Sequence, residues 1–149
     1  MTEEVLVSIK GLQMLGPDEE DETEVVTRGN YLRKGNKHYI RYEEVVEGME
    51  GTIQNLIKVD ENGMEVTKKG LTNVHMIFEK DKKNMTYYDT PFGSLLIGIS
   101  ATNLDVKSGE KNIDVTVQYA LDVNYEHLAD CTISMNIRSM DNGELHLTN

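Results

Sequence analysis

Strict alternation of apolar and polar residues constrains this chain more than any other feature. Between Asn112 and Asn124 the odd positions are Ile113, Val115, Val117, Tyr119, Leu121 and Val123, and the even positions include Asp114, Thr116, Gln118, Asp122 and Asn124. A period of two places the sets on opposite faces of an extended segment, one dry and one wet, as in a half-buried antiparallel strand. Ala129–Ile137 repeats the pattern, with Ala129, Cys131, Ile133, Met135 and Ile137 on one face and Asp130, Thr132, Ser134 and Asn136 on the other. From this parity Val115, Val117, Leu121, Cys131, Ile133 and Met135 are expected in the core.

Further strands are expected at Glu4–Leu12, Glu24–Lys34, Lys37–Val46, Thr52–Val59, Met64–Lys68, Leu71–Glu79, Met85–Thr90 and Ser94–Val106. Gly35-Asn36 reads as a two-residue hairpin turn, and Asn62-Gly63 as a turn in which Asn-Gly supplies positive φ. In Thr90-Pro91-Phe92-Gly93, proline presets φ for the first central position, so the stretch reads as a corner between strands. The apolar parity of Ser94–Val106 shifts from Leu95, Ile97 and Ile99 to Leu104 and Val106, which predicts a β-bulge near Thr102-Asn103. No segment has a convincing helical period; a short helical turn at Tyr125–Asp130 is the alternative to a strand start there.

About ten short strands with tight turns must hide their edges, and closure into a barrel does so best. The expected fold is therefore all-β: one domain over 149 residues, an antiparallel up-and-down barrel of about 8–10 strands, with a sandwich as the alternative.

The formal net charge of −11 argues against unassisted binding to nucleic acid or an anionic membrane. One cysteine, Cys131, rules out an intrachain disulfide and suits a reducing compartment. The segment MTEEVLVSIKGL carries acidic residues where a secretory signal carries basic ones, so a cytoplasmic location is expected. The carboxylate run at Gly16–Thr23 lacks the ligand spacing of a calcium loop and reads as solvated. His127 and Cys131 lie four apart, roughly 13 Å along a strand at about 3.3 Å per residue, too far to share a metal. No metal site, cofactor motif or nucleophile motif is expected.

Gly29-Asn30-Tyr31, Lys34-Gly35-Asn36-Lys37, Tyr39, Tyr42-Glu43-Glu44, Lys69-Gly70, Tyr88-Asp89-Thr90-Pro91-Phe92-Gly93 and Val117-Gln118-Tyr119-Ala120-Leu121 occur in that order. In this order and spacing the chain resembles the YwiB-like family of bacterial proteins, roughly from Val5 to Ile137. It departs from the pattern at Lys69, where arginine is more usual. The resemblance implies a calycin-type, lipocalin-like β-barrel and brings no accepted activity or site residues. Calycins generally hold small hydrophobic molecules, and some such barrels hold haem, although no residue here is marked for it.

Polar residues on otherwise apolar strand faces are the candidate site. His38, Tyr42 and Glu44 share a face with Ile40 and Val46, and Tyr119 lies between Val117 and Leu121. Tyr42, Glu44, Tyr88 and Tyr119 are expected to line the interior or its mouth, with Tyr88 just before the Pro-Phe corner. A buried carboxylate must be paired or protonated. Arg41 points the other way, so Arg28 or Lys69 is the expected partner of Glu44. The leading reading is a binding site for a small, partly apolar molecule. A barrel with a filled interior, serving structure or protein interaction, is the second, to be favoured if Met76, Tyr119 and Met135 all point inward. Catalysis by Glu44 and a tyrosine comes last, because an acid and a base need positioning as well as presence. Oligomeric state is not legible.

Overall fold

The computed structural model describes residues 3–11, 24–45, 47–90 and 93–140. Ten strands make up the fold: β1 (Glu3–Lys10), β2 (Glu24–Lys34), β3 (Lys37–Val45), β4 (Thr52–Asp60), β5 (Gly63–Gly70), β6 (Val74–Glu79), β7 (Lys83–Thr90), β8 (Gly93–Ser108), β9 (Asn112–Val123) and β10 (Glu126–Ser139). Each pairs antiparallel with its sequence neighbour, except at one seam between β6 and β7, and β1 pairs with β10 to bring the chain round. The seam is bridged rather than laddered. Asn73 and Asp89 exchange backbone hydrogen bonds of 3.1 and 3.0 Å, and Lys80 bridges Ala101 in parallel. The result is a nearly closed up-and-down barrel, with no helix among the described residues that is long and apolar enough to cross a membrane.

Burial follows the alternation. Val115, Val117, Leu121, Ile133 and Met135 are buried as expected; Cys131 takes the same face but is only half-buried, packed against the core. The register of β8 against β9 shifts between Ala101 and Asn103, so the bulge falls where the parity changes. Inner residues before it (Ile97, Ile99, Ala101) and after it (Leu104, Val106) then face the same core.

Three turns refine the sequence reading. Gly35, at the first central position between β2 and β3, has φ of 60°, as a type II′ hairpin turn requires. Between β4 and β5, neither Asn62 nor Gly63 takes positive φ, contrary to expectation. Asp60 holds that turn instead: its Oδ1 accepts from the backbone N–H of Asn62 at 2.8 Å and of Gly63 at 3.1 Å. The third joins β9 to β10. No helical turn forms there; Asn124 and Tyr125 have φ of 50° and 73°, the two positive values of a type I′ turn. Asn124 braces it, its backbone N–H donating to the Leu96 carbonyl at 2.8 Å. Thr90 and Gly93 pair directly, so the corner joins β7 and β8, while Pro91 and Phe92 themselves lie outside the described residues. The acidic run 16–23 also lies outside them.

Candidate functional site

Odd-numbered strands all run toward one end of the barrel, and there the inner face turns polar. The register aligns Tyr42 of β3 with Asn55 of β4, Asn55 with Lys68 of β5, and Lys68 with Val74 of β6. Each of these side chains shares the inward parity of its strand: Ile40 precedes Tyr42, Ile57 follows Asn55, and Val66 precedes Lys68, all buried. Glu44 lies one inward position beyond Tyr42, closer to the rim, with its side chain 29% exposed.

Lys68 is the centre of this row. Its side chain is 5% exposed, and Nζ donates to Asn55 Oδ1 at 2.7 Å and to Glu44 Oε1 at 3.2 Å. Asn55 Nδ2 donates in turn to Glu44 Oε1 at 3.3 Å and to the Ile53 carbonyl at 3.4 Å. A buried ammonium is tolerable only when paired and hydrogen-bonded, and this triad supplies both.

Two tyrosines border the triad. Burial, aided by the Glu44 carboxylate, holds the Tyr42 phenol well above its ordinary pKa. Tyr88 is raised for the same reasons, burial first, while a hydrogen bond with Thr72 works in the opposite direction. The Tyr42 residue is 4% exposed, yet its hydroxyl has no hydrogen-bond partner among the described residues. Those residues contain no fully buried side-chain oxygen or nitrogen without a partner, so this hydroxyl opens on accessible space.

The structure thus brings together Tyr42, Glu44 and Tyr88 but not Tyr119. Tyr119 is buried against Phe78, ring centroids 5.0 Å apart in an edge-to-face contact, and sits opposite Cys131 of β10 in the strand register. Neither expected partner of Glu44 is correct. Arg28 is an exposed residue with its guanidinium 4.0 Å from Glu4, and Lys69 faces outward. Strand parity explains the difference: Lys68, not Lys69, continues the inward series of Met64 and Val66. Lys68 and Asn55 are the site residues that sequence reasoning missed, and both sat on inward positions where a polar residue was the available signal.

The opposite end is built differently. His38 is buried there, and its Nδ1 lies 2.7 Å from the Tyr31 hydroxyl with the rings stacked. Open clefts of about 330 and 190 Å³ lie at that end, the first between Lys37, Asp60 and Glu79, the second between Tyr31, Arg33 and Lys111. The charged groups lining these clefts are exposed or half-buried, whereas the Lys68 side chain is buried. No group of three or more His, Cys, Asp or Glu converges for a metal among the described residues.

Fold and site together define a small, nearly closed antiparallel barrel with an apolar packed interior and a buried lysine paired with a carboxylate toward one end. A family model described as "Domain of unknown function (DUF1934)" matches residues 7–135, and the chain belongs to that family. The crystal structure of the ywiB protein from Bacillus subtilis is similar, with a TM-score of 0.72 at 19% identity, covering 93% of this chain and 92% of that one. At that identity the likeness concerns the fold; it agrees with the YwiB-like resemblance read from the ordered motifs. No curated protein matched.

Proposed function

We propose that the chain is a calycin-type binding barrel of the cytoplasm, holding a small, partly apolar molecule at the Lys68 end in contact with Tyr42, Glu44 and Tyr88. The observation that carries this reading is the Tyr42 hydroxyl: a polar group on a buried ring, without a partner among the described residues, beside the partly exposed Glu44 carboxylate that pairs with the buried Lys68. Tyrosine offers an apolar ring with a polar tip, which suits a pocket that must both pack and orient. Tyr119, placed in the same site by sequence reasoning, is left with a packing role. The single cysteine and the strong negative charge support a reducing, cytoplasmic setting and a small-molecule partner in place of nucleic acid or membrane.

A second reading has its own support. Met76, Tyr119 and Met135 all point inward and are buried, as a filled interior requires. The ligand therefore sits near the mouth in the first reading, and in the second there is none. Mass spectrometry of small molecules released from the purified native protein separates them. The binding reading expects a near-stoichiometric molecule whose occupancy falls in Tyr42→Phe and in Lys68→Met. Protein free of any such molecule, across expression conditions, sinks it in favour of the filled barrel.

A further inference from the structure

We infer that the molecule held at the Lys68 end is a zwitterion of the amino-acid type, with an ammonium and a carboxylate on one carbon and an apolar side chain. This rests on the binding reading above and adds the charge pattern of the ligand.

Charge balance is the first argument. Glu44 and Lys68 neutralise each other at 3.2 Å, so the site is neutral as built. A ligand of net charge would bring an uncompensated ion against a pair whose lysine is buried, whereas a zwitterion adds none. The chain's own charge of −11 further disfavours a free anion.

Unused hydrogen-bonding capacity is the second. Both bonds to Glu44 fall on Oε1, which leaves Oε2 without a partner among the described residues. That oxygen is an acceptor suited to an ammonium. On the other side, the Tyr42 hydroxyl has no partner among the described residues and can donate, and an ammonium has three N–H groups of which Lys68 commits two, to Glu44 and Asn55. Those donors suit a carboxylate. Tyr42 and Glu44 are successive inward positions on one strand, so the complementary ligand groups must be close together. Lys68 is the one buried cation among the described residues, too few for a phosphate, which calls for several donors. Val74, next to Lys68 in the row, and the Tyr88 ring supply apolar surface for the side chain.

The test is calorimetric titration of the full chain with L-leucine and L-phenylalanine, each beside its matched acid (4-methylpentanoate, 3-phenylpropanoate) and amine (3-methylbutylamine, 2-phenylethylamine). At least one amino acid should bind saturably, and its matched acid and amine about tenfold or more weakly, because each lacks one charge-assisted hydrogen bond. Tyr42→Phe should weaken the amino acid about threefold or more while the free protein melts as before. Glu44→Gln should reverse the preference, so that the matched acid binds better than the amino acid, which a purely structural Glu44 would not cause. An acid or amine binding as tightly as its amino acid, or no saturable binding across the panel, overturns the inference. If the molecule released from the native protein is of another charge type yet depends on Lys68, the zwitterion falls and the binding reading stands. If nothing is released and nothing in the panel binds, both fall.

Discussion

Lys68 donates to Asn55 across 2.7 Å on directly paired positions of β5 and β4, and the same ammonium reaches Glu44 one strand further at 3.2 Å. Three neighbouring strands are therefore tied on the inside of the barrel by one buried charge.

Removing that charge should cost more than removing the pair. Breaking a buried ion pair costs about 3–5 kcal/mol, and the partial exposure of Glu44 places Lys68→Met near or below the lower bound, about 2–3 kcal/mol. The double variant Lys68→Met with Glu44→Gln should recover at least about 1 kcal/mol of it, since no unpaired carboxylate remains. Urea denaturation of the singles and the double measures this. A double variant less stable than Lys68→Met would show that the carboxylate is not what the lysine compensates.

Phe78 is fully buried and meets Tyr119 edge to face at 5.0 Å. Phe78→Ala should lower the unfolding free energy by about 3–5 kcal/mol through the cavity it leaves, and Phe78→Leu by clearly less. A loss under about 1 kcal/mol for the alanine variant would mean the interior is not close-packed at this point.

Tyr125 takes φ of 73° in the β9–β10 turn, where the residue is 78% exposed. A side chain with a Cβ is strained there by about 1–2 kcal/mol, and Asn-Gly is the preferred pair for a type I′ turn. Tyr125→Gly should stabilise the protein, by up to about 1 kcal/mol once glycine's extra entropy in the unfolded chain is counted. A fall in melting temperature would contradict the turn geometry.

His38 gives a pH dependence whose sign follows from its surroundings. Burial lowers its pKa below 6.5, Arg33 lowers it further, and Asp60 opposes both. The unfolded chain then takes up the proton more readily than the folded one. Stability from this group is present above about pH 6.5 and is lost as pH falls from there toward the folded value. His38→Phe should flatten the stability profile between about pH 6.5 and 5, before the carboxylates titrate. An unchanged slope in that window would show that His38 protonates equally in both states.

Asp60 caps the β4–β5 turn through its two backbone contacts. Asp60→Ala should cost about 1–2 kcal/mol and Asp60→Asn much less, because the amide oxygen can still accept. Equal losses in chemical denaturation would point to the charge in place of the turn.

Local pattern was enough to read most of the fold. Alternation in Asn112–Asn124 and Ala129–Ile137 set which residues of β9 and β10 face inward, because a pleated strand leaves no other choice. The parity change in β8 located the bulge, since an extra residue is the local way to restore an inward face. The ordered motifs pointed to the family. Turns were less legible: Asn62-Gly63 had a favoured sequence but Asp60 satisfied the backbone first, and Tyr125 is a poor residue for the conformation it adopts.

The candidate site divides along the same line. Tyr42, Glu44 and Tyr88 were visible as polar residues on or beside apolar faces, a property of each strand taken singly. Which cation meets Glu44 was not, because the partner lies on β5, two strands away, and the choice of Lys68 over Lys69 or Arg28 depends on register across β3, β4 and β5. Tyr119 looked equivalent to Tyr42 on its own strand, yet the closure of the barrel sets it against Phe78 instead of the mouth. Periodicity along the chain determines which way a side chain points; only the pairing of strands, a matter of long-range hydrogen bonding and core packing, decides what it meets there.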